Sequence, residues 1–253
     1  MIPIKTKKEI EILKQGGEKL SWVLRQILKE TKPQVALCQL DKLATELIKK
    51  QGGQPSFKKV PGYHWATCIN VNDGVVHGIP GNYRLQKNDL VSVDIGMFYE
   101  GLHTDMARTI RLKERKDRKE ESDKFLAVGE KTLEKAIKVA KAGNRVGHIS
   151  QVIEKELKKA GFSPVEVLTG HGVGKELHED PMIPCFLSEE IKKTPLLKEG
   201  MVLAIEVIYT QGQPDLIIDD DQWTMRTADG KLAGLFEKTI AVGKKGSFVL
   251  TPF

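Results

Sequence analysis

The order of the secondary-structure elements that the sequence predicts is the feature that most constrains this fold. Two helices followed by a group of strands are predicted twice, from apolar residues spaced three and four apart or in strict alternation. Helices are expected near 7–30, 36–50, 124–141 and 147–160. Strands are expected near 66–72, 90–98, 104–110, 164–168, 201–210, 214–227 and 232–242. Because most of these strands are joined as hairpins, the sheet should be largely antiparallel and the fold class α+β.

The repeated order suggests a duplicated architecture within one domain that spans residues 1–253. Its pseudo-repeat halves would be about 1–112 and 123–253, although the two halves share little sequence similarity. Between them, the segment KERKDRKEESDK at 113–124 is almost entirely charged, and we interpret it as a solvated connection. A chain of 253 residues is long enough to bury a sizeable core.

The sequence has none of the features of a membrane span or a secretion signal. No apolar run approaches the roughly 20 residues that are needed to cross a bilayer. The start, MIPIKTKKEIEILK, lacks the apolar stretch and the cleavage site of a signal peptide. Cys38, Cys68 and Cys185 have no metal-finger spacing and do not suggest a disulfide framework. We therefore expect a cytoplasmic monomer that makes no membrane contact.

The net charge of +6 is unevenly distributed. Residues 1–59 hold thirteen Lys and Arg and six Asp and Glu, so this region carries the whole positive excess. A basic face can dock on RNA, although such faces are more often simply solvated. We expect at most weak docking on the ribosome through this region, and no sequence-specific binding to nucleic acid.

Two aspartates stand in a run that otherwise predicts a hairpin, LVSVDIGMFYEGLHTDMARTIR at 90–111. If the turn is centred between Tyr99 and Glu100, Asp94 lies directly opposite Asp105, with Cβ atoms about 5 Å apart. Two negative charges at that distance repel each other by roughly 3 kcal/mol at an effective dielectric constant near 20. A cation between them would make the pair favourable. The alternative is a slipped register in which the two aspartates are separate surface residues.

Four other residues stand where a purely structural role is hard to find. His171 and His178 lie in LTGHGVGKELHEDP, whose glycines would let the backbone approach a ligand or another strand closely. Glu206 and Glu237 each interrupt a strongly apolar run. Buried glutamates are rare unless they are paired or bound to a metal. An outward position on a half-exposed strand, or an ion pair, is the alternative for each glutamate.

Five separated motifs together resemble type I methionine aminopeptidases. They are HGIP at 77–80, DIG with HTDMART at 94–109, GHGVGKELHEDP at 170–181, IEV at 205–207 and EKTIAV at 237–242. The resemblance covers nearly the whole chain, in the same order and spacing. It implies the pita-bread fold, with two pseudo-symmetric halves around a mainly antiparallel sheet in a single catalytic domain. It also implies removal of the N-terminal methionine from nascent proteins and peptides when the second residue is small.

The resemblance implies a dinuclear metal site. Its ligands would be Asp94, Asp105, His171, Glu206 and Glu237. Asp105 and Glu237 would bridge both ions, Asp94 would serve one ion, and His171 and Glu206 the other. Four carboxylates and one imidazole suit Mn²⁺, Fe²⁺, Co²⁺ or Zn²⁺. Two such ions can activate a water molecule and polarise the scissile carbonyl.

The same resemblance assigns the residues that would contact the substrate. His77 and His178 would hydrogen-bond the peptide and the developing tetrahedral intermediate, and Glu206 would also accept the proton of the nucleophilic water. The methionine pocket would be formed by Tyr63, Cys68, Leu177 and Trp223. Plain core packing is the alternative role for those four side chains. The resemblance assigns no role to His64, His103 and His148, which are expected to be ordinary polar residues.

Two positions depart from the usual pattern of the family. Proline usually follows the metal-binding glutamate, but Val207 follows it here. The segment PGYHWATC also places His64 and Trp65 in unusual positions. Neither departure removes a ligand, so both affect the shape of the pocket, the rate and the substrate preference more than the reaction.

The type II subfamily and two rival functions are distinguishable on sequence grounds. The short spacing between His178 and Glu206 leaves no room for the insertion that type II relatives carry. Aminopeptidase P and prolidase share the five ligands but usually have a large extra N-terminal domain. A non-catalytic binding protein of this fold tends to lose ligands, and none is missing from this sequence.

Overall fold

The structure is a computed structural model that describes residues 2–113 and 120–253. Residues 114–119, half of the charged connection that the sequence predicts at 113–124, therefore lie outside the described residues. The four helices are α1 (Lys7–Glu30), α2 (Leu37–Lys50), α3 (Glu120–Val139) and α4 (Val146–Ala160). Three of them begin and end within one residue of the predicted bounds, and α3 begins four residues earlier than expected.

The strands form one large antiparallel sheet and one small one. The strands are β1 (Gln54–Pro55), β2 (Thr67–Val71), β3 (Gly74–Val76), β4 (Leu90–Tyr99), β5 (Leu102–Arg111), β6 (Ser163–Pro164), β7 (Thr169–Gly172), β8 (Glu179–Pro184), β9 (Val202–Thr210), β10 (Leu216–Ile218), β11 (Met225–Thr227), β12 (Ala233–Val242) and β13 (Ser247–Val249). The large sheet has the order β1-β4-β5-β12-β9-β7-β8, with β2 beside β4, β6 beside β9 and β13 beside β12. The small sheet is β10-β11-β3. The α+β prediction is confirmed.

Each pair of helices covers its own part of the large sheet. Helix α1 packs on β4 and β5, and α2 packs on α1, β1 and β2, over an apolar core that includes Leu24, Ile48 and Val93. Helix α3 packs on β9 and β12, and α4 packs on α3, β6 and β8, over a second core that includes Phe125 and Ile205. The two parts of the sheet meet where β5 lies beside β12, with Arg108 opposite Phe236. The site described below lies along this seam.

The β4–β5 hairpin differs from the expected register. Tyr99 pairs with Leu102, so the turn consists of Glu100 and Gly101, one residue later than predicted. Both turn residues have positive φ, 46° and 86°, as a two-residue turn that matches the twist of its strands requires. Asp94 therefore lies opposite Ala107 and not opposite Asp105. The two aspartates are diagonal neighbours on the same face of the hairpin, because their parity is unchanged.

The chain between 163 and 227 also differs from the prediction. The strand expected near 164–168 is reduced to the two residues of β6, and the neighbouring β7 and β8 were not predicted. The single strand expected at 214–227 is a hairpin of β10 and β11 in the small sheet. Within the described residues, no helix is long and apolar enough to cross a membrane.

Candidate metal centre and substrate cavity

Five strands bring the candidate ligands together on one face of the large sheet. Asp94, Asp105, His171, Glu206 and Glu237 come from β4, β5, β7, β9 and β12 respectively. All five line a single cavity of about 160 Å³. Ligand atoms of Asp105, His171 and Glu237 lie within 4.8 Å of one another. Residues that are up to 143 positions apart in the chain therefore form one cluster.

The acidic side chains are crowded closely enough to perturb one another. Glu206 lies directly opposite Glu237 in the β9–β12 register, so the opposed acidic pair lies here and not in the β4–β5 hairpin. Burial, and then the charge of Asp94, raises the pKa of Glu206. Burial, and then the charges of Asp105 and Glu206, raises the pKa of Glu237. Without cations, this cluster strongly disfavours full ionisation.

Among the described residues, two buried oxygens of the cluster have no hydrogen-bond partner. They are Oδ1 of Asp94 and Oε1 of Glu237. A buried carboxylate oxygen without a donor is costly in free energy, and cation coordination is one way to remove that cost. The unpartnered oxygens fit divalent cations, and so does a set of donors made of four carboxylates and one imidazole.

His171 is held in the tautomer that a metal ligand needs. Its Nδ1 lies 2.8 Å from the carbonyl oxygen of Gly172, so Nδ1–H donates to that carbonyl. The lone pair therefore lies on Nε2, which is 3.6 Å from Oε1 of Glu206. Burial is the main cause that lowers the pKa of His171 to about 4, and the charge of a protonated His178 adds to it. The ring of His171 is therefore neutral at physiological pH. A neutral imidazole oriented by a backbone carbonyl is typical of metal ligands.

The glycines beside His171 bring β7 close to its neighbours. A Cβ atom at Gly172 would overlap the carbonyl oxygen of Asp180 in β8. A Cβ atom at Gly170 would lie 2.6 Å from the carbonyl oxygen of Ala204 in β9. These glycines let His171 enter the row of ligands.

His77 and His178 lie at the edge of the cavity, outside the ligand cluster. Both residues are exposed and both line the cavity. The rings of His178 and His171 are 4.4 Å apart between centroids, in an edge-to-face arrangement at 72°. His77 follows strand β3 with a positive φ of 57°. Two imidazoles therefore border the space above the ligands, where a bound peptide could reach them.

The apolar end of the cavity contains all four predicted pocket residues. Tyr63, Cys68, Leu177 and Trp223 line it, together with Phe57, Val60 and Val76, which the sequence did not indicate. Cys68 lies opposite Asp94 in the β2–β4 register, so the apolar pocket directly adjoins the acidic cluster. Burial, and then the charge of Asp94, raises the pKa of the Cys68 thiol. Cys68 is therefore a neutral, apolar wall.

The remaining histidines occupy three different environments. His64 is exposed. His148 accepts a hydrogen bond from the backbone N–H of Arg145 at the start of α4. His103 is 4% exposed, and its Nδ1 lies 2.9 Å from Oγ of Ser56. Burial is the largest cause that lowers its pKa to about 4. His103 is thus a buried partner of Ser56. It opens the HTDMART motif, but the resemblance assigned it no role.

The two departures from the family pattern differ in their position relative to the apolar pocket. Val207 is fully buried and pairs with Phe236, so its side chain packs in the core of the second half. Trp65 packs against Tyr63 with ring centroids 5.3 Å apart, behind the apolar pocket. Trp65 is therefore the departure that can change the shape of the pocket.

The stability of the metal-free protein should depend on the pH through Asp94. Burial raises the pKa of Asp94 from 3.8 to about 7. An acid with a raised pKa binds more protons in the folded state, so stability is lost as the pH rises through that window. We expect the free energy of unfolding to fall by a few kcal/mol as the pH rises from about 4 to about 7, between the pKa values of Asp94 in the unfolded and folded states. Thermal unfolding in chelator should show this fall, and Asp94→Asn should reduce it. A wild-type slope equal to that of Asp94→Asn would contradict it.

Comparisons with known proteins show the family to which the chain belongs. The model of metallopeptidase family M24 matches residues 11–244. The methionine aminopeptidase of Clostridium perfringens is 38% identical over 99% of both chains. Methionine aminopeptidase 1 of Bacillus subtilis is 39% identical, also over 99% of both chains.

Solved structures support the same assignment. The methionine aminopeptidase of Thermotoga maritima superimposes over 100% of both chains with a TM-score of 0.95 and 38% identity. The prolidase of Pyrococcus furiosus shares the fold, with a TM-score of 0.79 and 24% identity, over 65% of its own chain. The pita-bread fold is therefore confirmed, and the chain belongs to metallopeptidase family M24, among its methionine aminopeptidases.

Proposed function

We propose that this metal-dependent methionine aminopeptidase hydrolyses the first peptide bond of its substrate at the five-residue cluster. The proposal rests mainly on one observation, the convergence of four carboxylates and a neutral imidazole in one cavity beside an apolar pocket. Two divalent cations, Co²⁺, Mn²⁺, Fe²⁺ or Zn²⁺, would be held by Asp94, Asp105, His171, Glu206 and Glu237. When bound, such ions supply an acidified water and an electrophile for the scissile carbonyl.

Glu206 is proposed to accept the proton of the attacking water. Its carboxylate lies inside the cavity, and its Oε1 is close to Nε2 of His171. Burial raises the pKa of Glu206, and a carboxylate with a raised pKa is a stronger general base. The same carboxylic acid can then return the proton to the leaving amine.

His77 and His178 are proposed to hold the substrate peptide. Their position at the edge of the cavity would let them hydrogen-bond the peptide carbonyl and stabilise the negative charge that develops on its oxygen. Burial of its ring lowers the pKa of His178, so the imidazole is neutral before the reaction. It would donate a hydrogen bond without transferring its proton.

The methionine side chain is proposed to fill the apolar end of the cavity. Tyr63 and Trp223 stand edge to face with ring centroids 5.1 Å apart, and Cys68 and Leu177 complete the wall. A charged first residue would lose its hydration there without gaining a partner, so it would bind poorly.

A comparison of two tripeptides tests the proposed function against its rivals. Met-Ala-Ser should be cleaved to methionine and Ala-Ser by the metal-loaded protein, and Ala-Pro-Ala should not be cleaved. Cleavage of Ala-Pro-Ala alone would indicate a proline-directed peptidase. No cleavage of either peptide by protein with full metal content would indicate a binding protein.

The second residue of the substrate should be selected by size. We expect kcat/KM for Met-X-Ser to fall progressively as X changes from Gly to Val, Leu and Arg, because X must fit beside His77 and His178. A pocket wall rejects each extra methylene by roughly 1–3 kcal/mol, so the discrimination should be graded. Competition assays with pairs of peptides measure it directly. Equal cleavage of Met-Arg-Ser and Met-Ala-Ser would rule out a size filter.

Three broader properties remain proposals beside this activity. They are a cytoplasmic location, a monomeric state and weak docking on the ribosome. The last is supported by basic residues such as Lys49, Lys50 and Lys58, which are exposed on the first half. Nascent chains with an N-terminal methionine would be the natural substrates.

A further inference from the structure

A buried ion pair connects the start of the chain to the loop that carries His178. Nζ of Lys5 contacts Oε2 of Glu179, and the two side chains are 4% and 8% exposed. The other oxygen of Glu179, Oε1, accepts hydrogen bonds from the backbone amides of Lys175 at 2.8 Å and Glu176 at 3.3 Å. Glu179 therefore holds the loop 174–178 from one end, and Lys5 compensates its charge.

Lys5 occupies a fixed position against this loop. Its backbone N–H donates to the carbonyl oxygen of Gly200 at 2.8 Å, just before helix α1 begins. A Cβ atom at Gly174 would overlap Cε of Lys5 and lie 2.6 Å from Nζ. The lysine side chain thus lies directly on the loop backbone and is unlike the mobile lysines of the surface.

The loop that Lys5 supports contributes two residues to the substrate cavity. Leu177 lines the apolar end, and His178 lies beside His171. The loop is also fixed at Gly174, whose carbonyl accepts from the backbone N–H of His103 at 2.7 Å. Removal of the Lys5 ammonium would leave the Glu179 carboxylate buried without its counter-charge. Movement of Glu179 toward water would then shift the amides of Lys175 and Glu176, and His178 with them.

We propose that Lys5 is a positioning residue that acts on the reaction through His178. This inference depends on the role that the proposed function gives to His178. Lys5 itself is not among the residues that line the substrate cavity. It fixes the loop geometry, so that the imidazole of His178 is already in place when the peptide binds.

A double-mutant cycle tests this proposal. Lys5→Met keeps the length of the side chain and removes its charge, and it is combined with His178→Ala. In the protein that keeps His178, Lys5→Met should lower kcat/KM for Met-Ala-Ser by about 10- to 100-fold, mainly through kcat. Small displacements of a positioned catalytic group have effects of this size. In the His178→Ala background, the same change should cost less than about twofold, because both changes act through one group.

Lys8→Met, on the exposed first turn of α1, is the matched control and should be neutral in both backgrounds. The metal content of every variant is measured, and it should not change. Equal losses from Lys5→Met in both backgrounds, or no loss in either, would overturn the proposal, because a general structural role acts regardless of residue 178.

A second variant keeps the test valid if Lys5→Met does not fold. Glu179→Gln keeps an oxygen for the two loop amides and removes the charge that Lys5 contacts, so it should show the same dependence on His178. An equal fold loss of kcat/KM with and without His178 would overturn the proposal here as well.

If His178→Ala alone has no effect, the role of His178 is wrong and the inference about Lys5 fails with it. If His178→Ala is impaired but Lys5→Met is additive, only the inference about Lys5 fails.

Discussion

Glu237→Gln is expected to lose bound cation and to lower kcat by more than about 10³-fold, since metal ions supply several kcal/mol of transition-state stabilisation. The side chain is 3% exposed, and its Oε1 has no hydrogen-bond partner within the described part of the chain. Glutamine has almost the same volume but presents a neutral amide in place of an anionic oxygen. The change therefore removes coordination with little change in packing. Elemental analysis after dialysis, together with a Met-Ala-Ser assay, measures both effects.

The matched control for this prediction is Glu134→Gln on helix α3, where the glutamate is exposed. It should keep its metal content and its activity. Glu237→Gln should also be more stable than the wild type in the metal-free state, because it removes a buried carboxyl group whose pKa is raised by burial and by the charges of Asp105 and Glu206. A Glu237→Gln variant with full metal content and normal turnover would show that Glu237 is not a ligand.

His178→Ala is expected to keep its metals and to lower kcat by about 10²- to 10³-fold, the range seen when one donor to a developing oxyanion is removed. The residue is exposed at the edge of the cavity, while its neighbour His171 is buried among the acids. Loss of the ring removes a hydrogen bond that forms fully only in the transition state, so the effect should appear in kcat more than in KM.

His64→Ala is the matched control for this variant, because His64 is exposed and does not line the cavity. It should behave as the wild type. Elemental analysis separates the two possible roles of His178. A His178→Ala protein that has lost an ion would make His178 a ligand and would contradict the assignment.

The helices could be predicted closely because their signals are local. Thr6 and Glu9 form a reciprocal capping box at the start of α1, and Gly161 ends α4 in the left-handed conformation. Periodic apolar residues between such signals predicted the helix bounds. The long strands β4, β5, β9 and β12 were also predicted, because alternation and apolar runs extend over nine or ten residues in each.

The hairpin register could not be predicted with the same accuracy, because it depends on which two residues form the turn. The predicted turn is centred between Tyr99 and Glu100, and the observed turn is centred one residue later, between Glu100 and Gly101. This difference shifts every cross-strand partner by two positions, so each side chain stays on the same face of the sheet. The wrong pairing of Asp94 with Asp105 therefore still placed both on the correct side of the sheet.

The short strands β7 and β8 were missed because their sequence has no alternation. Glycines on both sides of His171 serve close packing between strands, and that requirement is visible only when β9 lies next to β7. The opposition of Glu206 and Glu237 is likewise a product of tertiary pairing between distant strands. The residue types of the cluster could be recognised in the sequence, but its arrangement could not be derived from it.

His103 and Lys5 show the limit of motif-based reasoning. Both are buried polar residues close to the loop of His178. Lys5 lies in no motif, and His103 opens HTDMART but was assigned no role. Their partners, Ser56 and Glu179, lie 47 and 174 positions away in the chain. Only the folded structure brings these pairs together.

Metal content and activity measured on the same sample test the central claim most directly. The protein is stripped of metal by a chelator and dialysed, and Mn²⁺, Fe²⁺ or Co²⁺ is then returned in steps while the release of methionine from Met-Ala-Ser is followed. We predict no measurable hydrolysis by the metal-free protein, and activity that rises with the measured content of bound metal. Full activity in protein shown to be free of metal would contradict the account.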